Sequence, residues 1–173
     1  VNGLFGNLTF NKVGPNDAGD MVPLSDVEFT LTGTHTGTGK SIERTAASNE
    51  SGVVTFANLP AGTYTLKETA PTGYTAGKPV EVTVSYGKVT FDGKEITENE
   101  QVQVENKREQ KNVNVTVNKT WADPAGTTHP KITINLWRDD DKNNPYATKE
   151  LTSDTTSVTF ENLPKYAEDG HLY

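Results

Sequence analysis

A lysine, a glutamic acid and an asparagine in this chain each stand where the alternation of a β-strand would turn them inward. In "GNLTFNKV", residues 6 to 13, Leu8 and Phe10 share one side of an extended strand, and the next position on that side is Lys12. Side chains in a strand repeat every second residue, so an ammonium group is aimed where a core should be. The same test puts Glu68 beyond Tyr64 and Leu66 in "TYTLKE", and Asn106 beyond Val102 and Val104 in "VQVEN". Two ordinary explanations are open. Each residue can sit at a strand end with its polar tip reaching water, or a buried Lys–Glu pair can be hydrogen-bonded to the amide, which avoids isolated buried charge. The third explanation is chemical. Burial lowers a lysine pKa and raises that of a glutamic acid, which favours a neutral amine beside a protonated carboxyl. A neutral amine is a nucleophile. With the Asn106 carboxamide in reach, Glu68 can act as the catalytic acid and base: it hydrogen-bonds to the amide oxygen, polarises the carbon, and shuttles the proton that lets ammonia leave. The product is an amide between Lys12 and Asn106.

The elements that must position these residues are strands. "DVEFTLTG", "GVVTFANL", "GTYTLKE", "PVEVTVSYG", "EQVQVENK", "NVNVTVNKTW", "KITINLW" and "SVTFENL" are short, β-branched or aromatic, and separated by Gly, Pro, Asn and Asp. No stretch carries helical periodicity. Strands at this spacing predict an all-β fold of the sandwich kind. "VTFANLP" at Val54 to Pro60 recurs as "VTFENLP" at Val158 to Pro164 with one change, so two copies of one unit are expected. The first is placed at residues 1–107, a polar linker at 108–112, and the second at 113–173. In the second, Val113, Val115 and Val117 lead to Lys119 as Leu8 and Phe10 lead to Lys12, but the copy stops before any counterpart of "TLKETAP" or of the last strand. It is therefore expected either to be completed by polypeptide outside these residues or to be the more mobile half. Equal amide-exchange protection in the two halves of the isolated chain would overturn that expectation.

Charge and composition exclude other functions. The 173 residues carry a net charge of −7, with 16 Lys and Arg against 23 Asp and Glu. The acidic residues are spread along the chain, so no nucleic-acid footprint is present. With no cysteine, neither disulfides nor thiolate metal sites are available. No run is long enough to span a membrane, and no signal peptide opens the sequence, so any targeting or anchoring segment is expected to lie outside these residues or not to exist, with no membrane contact within them.

Other motifs carry less. "GTHTGTGKS" fails the phosphate-loop spacing because Thr34 stands where the first glycine belongs and Gly33 is one place early. "DDDKNNPYATKE" puts Asp139, Asp141, Asn143 and Glu150 at calcium-loop positions, but Asn144 replaces the turn glycine and the flanks read as strands; a solvated turn is expected, with no metal. His35, His129 and His171 have no ligand spacing, and no triad or other cofactor site is recognisable. Trp121 and Trp137 are expected in a core, with a carbohydrate platform as the alternative.

"YTLKETAPTGY", a lysine-bearing first strand and an "ENK" last strand together resemble the collagen-adhesin B-type (Cna B) domains of Gram-positive sortase-anchored surface proteins and pilins. The resemblance covers the first copy and the start of the second. It implies tandem Ig-like sandwiches of the reversed, transthyretin-like type, the second incomplete here, with a self-formed isopeptide bond linking Lys12 to Asn106 and Glu68 as its glutamate. Lys119 matches the reactive lysine of the second copy. It also implies a structural stalk or shaft module of a cell-surface adhesin or pilus subunit, extracellular on the cell wall or pilus, whose partners are other pilin or surface-protein subunits joined by sortase. A ligand-binding adhesin module contacting a host protein or glycan is the alternative. Neither is an enzyme with turnover, because the chemistry modifies the chain once.

Overall fold

Short β-branched runs interrupted by Gly, Pro and Asn favour strands joined by tight turns. The computed structural model describes residues 5–97, 99–153 and 155–173, and these form strands and turns. Contacts divide the chain into Val1–Glu109 with Asp169–His171, and Gln110–Glu168 with Leu172–Tyr173. Among the described residues no helix is long and apolar enough to cross a membrane.

The first unit contains β1 (Phe5–Pro15), β2 (Met21–Pro23), β3 (Glu28–His35), β4 (Ser41–Ala47), β5 (Val53–Pro60) and β6 (Gly62–Glu68). It continues with β7 (Tyr74–Thr75), β8 (Val80–Ser85), β9 (Lys88–Phe91), β10 (Lys94–Glu95), β11 (Val102–Glu105) and β12 (Lys107–Arg108). In one sheet β1 lies between partners, antiparallel to β5 and then β2, and parallel to β11. The other sheet runs β10-β9-β8-β6-β3-β4. Alternate residues of both sheets meet in one core. Leu8, Phe10 and Val54 enter it from the first sheet, and Phe29, Leu31 and Leu66 from the second. Phe10 meets Phe29 edge to face, with ring centroids 4.9 Å apart, a favoured aromatic geometry. A sandwich of two antiparallel-rich sheets is the outcome expected of strands with one apolar face.

The second unit contains β13 (Asn112–Asn118), β14 (Ile132–Leu136), β15 (Ala147–Leu151) and β16 (Ser157–Pro164). Its β13–β16 pair repeats β1–β5 residue for residue. Val115 faces Phe160 as Leu8 faces Phe56, and Val117 faces Val158 as Phe10 faces Val54; both ladders shift register at the same place, between Val113 and Val115 and between Gly6 and Leu8. Asn114 Oδ1 accepts from the Asn162 amide at 3.0 Å, as Asn7 Oδ1 accepts from the Asn58 amide at 2.9 Å. The two units differ in how that face is covered. Leu8 is fully buried, whereas Val115, its counterpart, is 37% exposed and Val113 is 40% exposed. Leu151 and Phe160 are buried in this unit, while Trp137, expected in a core, is 49% exposed. It lines a cavity of ≈ 310 Å³ together with Val115, Leu136, Tyr146, Leu163 and Leu172.

Candidate functional site

Lys12 comes seven residues into β1, and strand parity continues through it: Leu8, Phe10 and Lys12 are all buried, with Lys12 0% exposed. Its backbone is held on the β5 side, where its N–H donates to Gly52 O at 2.7 Å and its carbonyl accepts from the Leu24 amide at 3.0 Å. Gly52 has φ +77°, and a Cβ there would stand 2.5 Å from Lys12 O, so only glycine fits that approach. On the other side β11 runs parallel to β1, with Lys12 opposite Val104 and Val13 opposite Glu105. The Asn106 amide then donates to Val13 O at 3.0 Å, which leaves the Asn106 side chain beside Lys12 at 2% exposure. Glu68 arrives from the opposite sheet at the end of β6, paired with Phe29 of β3, and its side chain is 3% exposed.

The structure thus brings together the three residues that parity singled out. Lys12 Nζ donates to Asn106 Oδ1 at 2.5 Å and to Val104 O at 3.1 Å. Asn106 Nδ2 donates to Glu68 Oε1 at 2.5 Å, and Glu68 Oε2 lies 3.6 Å from Lys12 Nζ. Burial pushes the Lys12 pKa below its ordinary value, against the attraction and hydrogen bond of Glu68 and the weaker field of Glu105, which raise it. Desolvation prevailing over a counter-charge is the condition under which an amine sheds its proton inside a protein.

One detail differs from the expectation. Glu68 faces the amide nitrogen of Asn106, not its oxygen. Carboxylate oxygens accept and the amide nitrogen donates, while Oδ1 is already taken by Lys12. The acid therefore stands on the side from which ammonia would leave. Two participants carry no residue-type signal that a sequence could reveal, because they are backbone groups: the Val104 carbonyl on Lys12, and the Gly77 amide, which donates to Glu68 Oε2 at 3.2 Å.

Lys119 occupies the backbone position of Lys12: its N–H donates to Thr156 O at 2.8 Å, as that of Lys12 does to Gly52 O. Its ammonium is placed otherwise. It donates to Thr120 O at 2.7 Å and stands 3.8 Å over the Trp121 ring, whose stacked neighbour is His129 at 4.2 Å. In the loop that resembles a calcium site, Asp141 Oδ1 accepts from the backbone of Asn143 at 2.8 Å and of Asn144 at 3.2 Å, closing a turn through its own carboxylate.

The prealbumin-like fold domain of SpaA matches residues 6–97, and the Cna protein B-type domain matches residues 115–173. No curated protein matches the chain. Among solved structures, the SpaE basal pilin of Lactobacillus rhamnosus GG is similar at 18% identity over 61% of this chain and 47% of that one, with a TM-score of 0.47. The minor pilin of Streptococcus agalactiae is similar at 25% identity over 61% of this chain and 45% of its own, with a TM-score of 0.42. For the TIE protein of Bacillus anthracis the identity is 18%, over 94% of this chain and 26% of that one, and the TM-score is 0.48. The chain spans less than half the length of each of these. Since the first match alone takes in more than half of the 173 residues and the second begins within β13, the chain belongs to the family of SpaA-type prealbumin-like and Cna B-type domains.

Proposed function

We propose that the first unit is a self-crosslinking structural module of a surface protein or pilus subunit, braced by an amide between Lys12 and Asn106. The observation that carries the reading is the buried contact of an amine with a depressed pKa on the first strand, a carboxamide just past β11 and a carboxyl group on the opposing sheet.

The chemistry balances within these groups. Glu68 takes one proton from the Lys12 ammonium, and the neutral amine attacks Asn106 Cγ. Glu68 then gives its proton to Nδ2, which leaves as ammonia when the carbonyl re-forms, and takes a proton back from the attacking nitrogen. A carboxyl group with one oxygen near each nitrogen suits both transfers. The reaction runs once, so the module is not an enzyme with turnover.

Mechanical use follows from strand order. β1 and β11 are adjacent and parallel, so tension applied at the two ends of the unit would shear them along their length. An amide from Lys12 to Asn106 carries that tension past the residues between them. An extracellular stalk, joined to further subunits, would gain from such a brace where cysteine is absent. In the second unit Lys119 holds the corresponding register and would be the reactive lysine of that module. The exposed groove at Trp137 favours a host-ligand site less than an uncovered sandwich interior, because Val115 there corresponds to the buried Leu8.

Intact-mass measurement tests the reading. The purified chain is expected to be one ammonia lighter than its sequence, with fragmentation placing the link between the peptides that hold Lys12 and Asn106. A folded chain of unmodified mass would overturn it.

A further inference from the structure

The connection from β6 to β8 makes a contact at or near each of the three reacting residues. Thr75 of β7 pairs with Lys107, the neighbour of Asn106. The Tyr74 hydroxyl donates to Pro15 O at 2.7 Å, near the end of the strand that holds Lys12. The Gly77 amide donates to Glu68 Oε2 at 3.2 Å. Two of these contacts tie strands together, whereas the third acts on the carboxyl group itself.

From this geometry we infer that Gly77 is a positioning residue for the crosslinking reaction: its backbone N–H fixes the rotation of the Glu68 carboxyl, so that Oε2 faces the lysine nitrogen while Oε1 faces the leaving nitrogen. The inference rests on the crosslinking reading above. Glu68 is the last residue of β6, where the sheet no longer restrains a side chain on both sides. A carboxyl group turns freely about its terminal torsion, for which preferences are broad. Without the Gly77 donor the plane of the carboxyl group is held only by the reacting nitrogens themselves, through Asn106 Nδ2 and the Lys12 ion pair, and a relay that must receive from one nitrogen and give to another loses its alignment. The N–H of Gly77 supplies that donor from a short loop tied to β12 through the Tyr74–Arg108 and Thr75–Lys107 pairs. What position 77 provides is the amide, not the missing side chain. A Cβ there would lie 3.4 Å from Glu68 Oε2, an ordinary contact.

That distinction gives the test. In cell-free synthesis, Gly77 is replaced by glycolic acid, which exchanges the N–H for an ester oxygen and keeps the chain otherwise intact; Gly77→Ala, which keeps the N–H, is made alongside. Loss of ammonia is followed by intact mass after a short synthesis pulse. The ester chain is expected to crosslink about 10- to 100-fold more slowly than the unaltered chain, the kinetic equivalent of a lost hydrogen bond to a charged group. Gly77→Ala is expected to stay within about threefold of the unaltered chain, because the donor is retained. Amide exchange of both altered chains in a Lys12→Ala background, where no bond can form, separates misfolding from misalignment; protection equal to that of Lys12→Ala alone is expected. If the ester chain crosslinks as fast as the unaltered one, the Gly77 assignment is overturned and the crosslinking reading survives. An unaltered chain that never loses ammonia overturns both.

Discussion

Lys12→Ala and Asn106→Ala chains should keep their full sequence mass and lose most of the stability of the first unit. The bond would close a loop between residues 94 apart in sequence, and a crosslink over a loop of this size disfavours the unfolded state by roughly 4–5 kcal/mol in the chain-entropy account. For a domain of about 100 residues that corresponds to a fall in melting temperature of about 20 °C or more. Asn106→Ala should also differ in pH dependence from the crosslinked chain. In Asn106→Ala the amine stays buried and titratable, with a folded pKa below its ordinary 10.5. The unfolded chain then binds more protons than the folded one between those two values, so stability rises with pH through that window and is reduced below it. The crosslinked chain lacks this dependence, because an amide nitrogen does not titrate there. Calorimetry from neutral pH to pH 10 on both chains reads the difference, and equal melting temperatures would remove the bracing role.

Glu68→Ala should leave a folded first unit that retains its ammonia. The carboxyl is the only acid that hydrogen-bonds to Asn106 Nδ2 among the described residues, and general acid–base assistance typically contributes about 10²- to 10⁴-fold. The variant also leaves the amine without its counter-charge, which lowers the lysine pKa further. Its Lys12 is therefore more readily neutral, yet it should not react. That separates two roles that a simple activity loss would confuse: if making the amine neutral were sufficient, Glu68→Ala would crosslink at the wild-type rate or faster. Protease digestion followed by mass analysis of the fragments reads the outcome, since an uncrosslinked first unit releases its first and last strands as separate peptides.

Alternation was enough to turn Lys12, Glu68 and Asn106 inward, because the direction of a side chain along a strand is a local property of the backbone. The repeat of "VTFANLP" as "VTFENLP" likewise made the common unit visible, and the matching registers of β1–β5 and β13–β16 follow from it.

Other features were decided by pairing over distance. That Asn106 lies beside Lys12 depends on β11 joining β1 in parallel, with Val104 opposite Lys12; one residue of slip would have turned the carboxamide to the other face. That Glu68 meets the amide nitrogen depends on which lone pairs and donors the two sheets leave unused when they close. The Gly77 amide and the Val104 carbonyl are present in nearly every residue, so no residue type marks them in advance. The exposure of Trp137 and the different resting place of Lys119 have the same origin. An apolar pattern states which face seeks burial, but whether that face is covered is settled only by the strands that come to lie across it.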